Sequence, residues 1–179
     1  MLDTPLSEDA YRKLKDQVSM RTICAAQPRL IKQLLSIKAK ALSHSCVREQ
    51  WSDWSADFAK ELEKIEQRRR KTPILHYPKL PISSHVLEIS DLVRSNPVTI
   101  VSGETGSGKT TQIPKICLQA GRGLSGLIGH TQPRRIAAKN VAERIAKELG
   151  SQLGDLVGYQ IRFSEKKFNC RRCRLQVNL

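Results

Sequence analysis

The sequence predicts an α/β domain with a parallel sheet, preceded by an all-helical N-terminal segment. Three observations predict it. Short β-branched runs alternate with helical stretches beyond residue 97, the pattern of strand–helix–strand crossovers. Before residue 72, apolar residues recur at helical spacing with no strand-like run. Between the two regions, TPILHYPKLPISS (72–84) carries prolines at 73, 78 and 81, which forbid a continuous helix and favour an extended linker.

In the first 72 residues, Thr4-Pro5 and Ser7 start a helix running to about Val18. Pro28 suits the first turn of a second, where Leu30, Ile31, Leu34, Leu35, Ile37 and Leu42 make a broad apolar face. A third, from about Cys46 to Arg70, spaces Trp51, Trp54, Phe58, Leu62 and Ile65 along one face, with Glu66 and Arg70 as an i,i+4 pair. A stripe at this spacing reads as core, not as a platform for stacking nucleic-acid bases. Arg68-Arg69-Arg70-Lys71 closes the helix, favoured there by the macrodipole; contact with phosphates is the alternative.

After the linker, Ser83 or Ser84 caps a helix to about Arg94, with Val86, Ile89, Leu92 and Val93 inward. Val98–Val101 reads as a buried strand. A helix from Lys109 to about Leu118 ends at Gly121 and Gly123, and Leu127–His130 forms the next strand. Ile136, Val141, Ile145 and Leu149 face inward from a helix over 134–149, stopped by Gly150. Val157–Phe163 is the third strand. Residues 73–96 are thus a Pro-rich linker and helix, and 97–165 the α/β part.

Net charge is +14, divided as +5 over residues 1–72, +5 over 73–164 and +4 over 165–179. Such a spread suits a polyanionic partner or a set of solvated basic faces. The five cysteines, at 24, 46, 117, 170 and 173, are odd in number and mostly scattered, the usage of a reducing cytoplasm. No apolar signal segment opens the sequence, and no run reaches the roughly 18 apolar residues of a membrane span.

Chemistry concentrates at Gly103-Glu104-Thr105-Gly106-Ser107-Gly108-Lys109-Thr110-Thr111, which fits the phosphate-binding pattern G-x4-G-K-[ST]. Glycines at 103, 106 and 108 let the backbone turn and bring its N–H groups to phosphate oxygens. The helix opening at Lys109 directs its free N–H groups at the same anion. Lys109 reaches the β- and γ-phosphates, and the Thr110 hydroxyl completes the shell of a Mg2+ ion. The pattern serves kinases, transporters, GTPases and helicases alike.

The flanking residues narrow the choice. GETGSGKTTQ (103–112) followed by HTQPRRIAAKNVAERIA (130–146) resembles the DEAH-box helicases of superfamily 2, and VGYQIRFSE (157–165) is similar to that family's next strand. YPKLPIS (77–83) and IPKICLQAGRGLSGLIGHTQPRR (113–135) look most like the bacterial HrpA-type RNA helicases. The resemblance is strong over about residues 73–165 and looser before that. It implies a RecA-like P-loop domain, here its first half, binding ATP or another nucleoside triphosphate with Mg2+. It implies Arg144 on the adenine, and Thr131, Gln132, Pro133, Arg134 and Arg135 on the backbone of single-stranded or structured RNA. The family also uses an Asp-Glu-x-His strand, a Ser-Ala-Thr motif and a second RecA-like domain, none of which this sequence contains.

Residues 166–179, KKFNCRRCRLQVNL, depart from the family pattern. They read as a disordered basic tail on a chain cut short by a shifted reading frame, whose missing half would be the natural partner. Cys170-x-x-Cys173 alone is a weak metal motif. Two functions follow: part of an ATP-dependent RNA helicase, not competent for turnover alone, or a non-catalytic nucleotide- or RNA-binding module or adaptor working through the helical segment.

Overall fold

The structure, a computed structural model, describes residues 7–42, 47–161, 164–165 and 175–178. These fall into two compact units that meet in sequence at Lys71 and Thr72.

The first unit holds three helices, α1 (Glu8–Arg21), α2 (Gln27–Leu42) and α3 (Arg48–Arg70). Ser7 caps α1, its hydroxyl accepting the Ala10 N–H at 3.2 Å. The core gathers Val18, Leu30, Leu34, Ile37 and Trp54. Trp54 stacks between Trp51 and Phe58, with ring centroids 5.3 and 5.2 Å away, and donates its indole N–H to the Leu30 carbonyl at 2.9 Å. A satisfied N–H and a buried ring make it core, as its spacing predicts. The expected face of α2 is narrower than drawn, since Leu35 and Leu42 are exposed. On α3 the seam joins the core only through Trp51, Trp54 and Phe58. Residues 1–6 and 43–46, where the first helix start and Cys46 were placed, lie outside the described residues.

The second unit is α/β. Residues 72–80 run without helix or strand, then a 3-10 turn (Pro81–His85) leads into α4 (Val86–Ser95). Neither serine caps α4: Ser83 donates to the Pro78 carbonyl and Ser84 to that of Pro81, because both are taken up in the preceding turn. Val86 and Ile89 face inward as expected, but Leu92 is exposed. Helices α5 (Lys109–Gln119) and α6 (Arg135–Glu148) follow, with strands β1 (Ile128–Thr131), β2 (Val157–Ile161), β3 (Ser164–Glu165) and β4 (Leu175–Asn178).

Both long helices end in the same way. In α5 the Gly121 N–H bonds the Leu118 carbonyl and Arg122 that of Cys117; in α6 Gly150 bonds Lys147 and Ser151 bonds Ala146. This paired closure needs a left-handed residue, which Gly121 (φ 82°) and Gly150 (φ 63°) supply.

The sheet order is β1-β4-β2-β3, with β4 parallel to both β1 and β2, and β3 antiparallel to β2. Leu175 and Val177 of β4 are fully buried and pack with Val157, Ala142 and Ile145. Two corrections arise here. Residues 175–178 belong to the stretch expected to be disordered, yet they form the strand between β1 and β2. Conversely, Val98–Val101 is not a strand: it lies outside the described sheet, leaving Val98 76% and Ile100 90% exposed. A β-branched run states a propensity, and a ladder requires a partner strand from elsewhere in the chain. Ile136 also faces out, 77% exposed. At 3.6 residues per turn it stands about 200° round the helix from buried Ala138.

Candidate nucleotide site

The Gly-rich segment folds as a turn running into α5, which begins at Lys109 with no capping side chain and no acidic residue in its first turn. Its N-terminal N–H groups and positive dipole end therefore stand uncompensated by any carboxylate of the helix. Two glycines are required by geometry: Gly106 at φ 86° and Gly108 at φ 94°. Gly103 has an ordinary φ, so the turn does not depend on it in that way.

Gly108 is doubly constrained. A Cβ there would come within 2.7 Å of Leu80 Cδ1 and 3.3 Å of Leu80 Cβ, whereas one on Gly106 would meet nothing within 4 Å. Gly106→Ala is expected to cost about 1–2 kcal/mol through φ alone. Gly108→Ala should cost measurably more, because Leu80 must also move. Thermal unfolding of the two variants, followed by far-UV circular dichroism, checks the order.

Lys109 Nζ is drawn back into the loop, donating to the carbonyls of Gly103 and Glu104, each at 2.6 Å, and to Ser107 Oγ at 3.1 Å. Ser107 in turn donates to the Glu104 carbonyl at 2.8 Å. The ammonium thus closes the turn on itself.

One cavity of about 390 Å3 is lined by Leu80, the loop residues Thr105, Gly106 and Gly108–Thr111, and Arg144 of α6. Of the sequence-predicted phosphate residues, Thr105, Gly106 and Gly108–Thr111 share this cavity with Arg144, whereas Gly103, Glu104 and Ser107 line a neighbouring one of about 600 Å3. A triphosphate fits the donor set, with its anion against the α5 N-terminus and Lys109. A Mg2+ ion fits as one held chiefly by phosphate and water, since the loop residues lining the cavity offer hydroxyls (Thr105, Thr110, Thr111) and no carboxylate. No cluster of three His, Cys, Asp or Glu suited to a metal occurs among the described residues. Cys170 and Cys173 lie outside those residues.

Thr131 ends β1, Gln132 and Pro133 follow it, and Arg134 is the N-cap of α6. The Gln132 N–H bonds the Asn178 carbonyl at 2.8 Å, which ties this turn to β4. Arg134 and Arg135 are exposed and line a separate cavity of about 550 Å3 with Ile136, Ala137 and Asn140. Of the sequence-predicted RNA residues only the two arginines line this cavity, which is separate from the one at the Gly-rich loop.

Sequence reasoning missed a buried polar network beneath the cleft. Lys115 of α5 is wholly buried, and its Nζ donates to Glu148 Oε2 (2.8 Å), Gln112 Oε1 (2.9 Å) and the His76 carbonyl (2.6 Å). Gln112 Nε2 donates to Thr111 Oγ1 and to Glu148 Oε2, both at 3.0 Å. Arg144 Nε donates to the other carboxylate oxygen, Glu148 Oε1, at 3.2 Å. Burial pushes the Glu148 carboxyl up, but hydrogen bonds from Lys115, Gln112 and Arg144 outweigh it and hold it below the usual range. A lysine within the apolar run Ile113–Cys117 was the available signal.

With these geometries in hand, comparison with known proteins shows that the chain is homologous to ATP-dependent RNA helicases, including DEAH-box ones. It is 41% identical over 171 residues, 91% of this chain, to the ATP-dependent RNA helicase HrpA homolog of Haemophilus influenzae. It is 51% identical over 114 residues, 61% of this chain, to ATP-dependent RNA helicase HrpA of Escherichia coli. To the probable ATP-dependent RNA helicase DHX40 of Homo sapiens it is 50% identical over 88 residues, 49% of this chain. The chain spans only 12%, 9% and 11% of those three proteins respectively. No family model matches it. No helix among the described residues is long and apolar enough to cross a membrane.

Proposed function

We propose that this chain is a portion of an HrpA-type, DEAH-box RNA helicase of the cytoplasm, and that its second unit is part of a RecA-like domain. In this reading residues 103–111 bind the phosphates of ATP or another nucleoside triphosphate, Thr110 binds the accompanying Mg2+, and Arg144 lies against the base. The observation that carries it is the shared cavity, lined both by Lys109 at the uncapped start of α5 and by Arg144. Calorimetry with a Mg2+-bound non-hydrolysable ATP analogue tests it, the expected result being one bound nucleotide per chain. Absence of binding by a folded chain sinks the reading.

Phosphoryl transfer relies on positioned water and on cations at the γ-phosphate. The chain holds a phosphate cradle and no Asp-Glu-x-His strand to position that water. It binds nucleotide without appreciable turnover, and strand separation belongs to the longer protein.

In the same reading, the turn Thr131–Arg135 holds the sugar-phosphate backbone of single-stranded RNA, the arginines acting through guanidinium–phosphate contacts. Replacing Arg134 by Ala should weaken binding of unrelated single-stranded RNAs alike. It should also reduce the slope of log K against log salt by about 0.7. Filter binding across a salt series measures both. RNA affinity untouched by replacing Arg134 and Arg135 together would instead favour a module working through the first unit.

A further inference from the structure

The Arg144 guanidinium is held from behind. Its side chain is 64% exposed on the cleft, and the structure anchors it at one point, Nε on Glu148. That carboxylate is not free to follow Arg144, because its other oxygen is fixed by Lys115 and Gln112. Gln112 in turn grips Thr111, the last residue of the phosphate loop. One carboxylate therefore joins both walls of the cleft: the helix that starts at Lys109 and the helix that carries Arg144.

We infer that Glu148 is a positioning residue for nucleotide binding, fixing the Arg144 guanidinium plane over the base at a set distance from the phosphate loop. The inference rests on the nucleotide reading above and adds the residue that makes the base contact geometrically defined. An arginine left on its own rotamers pays more entropy to lie flat on a base than one already anchored through Nε. Anchoring through Nε leaves the planar face and both terminal nitrogens to the ligand. The contact is blind to base identity, since every base offers a π-face.

Replacing Glu148 alone strands a buried ammonium, so the informative variant is Lys115→Met combined with Glu148→Leu. It removes the buried pair together and takes away the acceptor on which Arg144 rests. Two Mg2+-bound probes are titrated by calorimetry: a non-hydrolysable ATP analogue, which meets loop and arginine, and inorganic tripolyphosphate, which meets the loop alone. The paired variant should lose about tenfold in affinity for the analogue, as should Arg144→Ala. Neither should change the affinity for tripolyphosphate, and Arg144→Ala added to the paired variant should cost nothing more. Unchanged analogue affinity in the paired variant, or equal loss of both probes, overturns the positioning role and leaves a packing network. A wild-type chain that binds neither probe overturns the nucleotide reading itself, and this inference with it.

Discussion

Lys109→Ala is expected to weaken binding of a Mg2+-ATP analogue by roughly ten- to 150-fold, while leaving the fold intact. The side chain lies in the turn, and its three hydrogen bonds go to Gly103, Glu104 and Ser107 of that same turn. None reaches the sheet or the core, so its removal costs little stability. Its loss to a ligand is much larger. A hydrogen bond between ionised partners contributes about 1.5–3 kcal/mol, which is roughly a ten- to 150-fold change in affinity. Calorimetry gives the affinity, and unchanged far-UV circular dichroism shows that the loss is not unfolding. Binding retained within threefold would mean that the ammonium does not face the phosphates.

Glu148→Ala should be the most destabilising single change in the second unit, by about 3–5 kcal/mol. Lys115 is fully buried, and its charge would be left with two neutral oxygens, those of Gln112 and His76. Both tryptophans, Trp51 and Trp54, lie in the first unit, so their fluorescence serves as an internal control. Amide exchange of α5 and α6 in urea should report the loss, while the tryptophan transition stays in place. Lys115→Met with Glu148→Leu should recover most of it, since no charge is then stranded. The sign with pH follows from the depressed Glu148 carboxyl. Its stabilisation is fully present above the ordinary glutamate range and is lost as pH falls through the lower folded value. Acid should therefore loosen the wild-type second unit in a window that the paired variant lacks. A paired variant no more stable than Glu148→Ala would contradict this.

Local signals determined a good deal from the sequence alone. Ser7 as a cap, Pro28 in a first turn, and Gly121 and Gly150 as stops each act through neighbours a few residues away, and all are found as read. The Trp51–Trp54–Phe58 spacing placed the core of the first unit, since a helical period is written in consecutive residues. The Gly-rich loop and Arg144 were also named from the sequence, and Thr105, Gly106 and Gly108–Thr111 line one cavity with Arg144.

What only the tertiary structure decided depends on residues far apart. Val98–Val101 has strand-forming side chains, but it pairs with nothing in the described sheet, whereas Leu175–Asn178, in a stretch without evident periodicity, pairs on both sides. A strand exists only where another backbone supplies its hydrogen bonds, and no local pattern states where that backbone will be. Lys115 is the same lesson in charge. Alone it reads as an exposed lysine, and it is buried because Glu148, 33 residues on, arrives 2.8 Å from its ammonium.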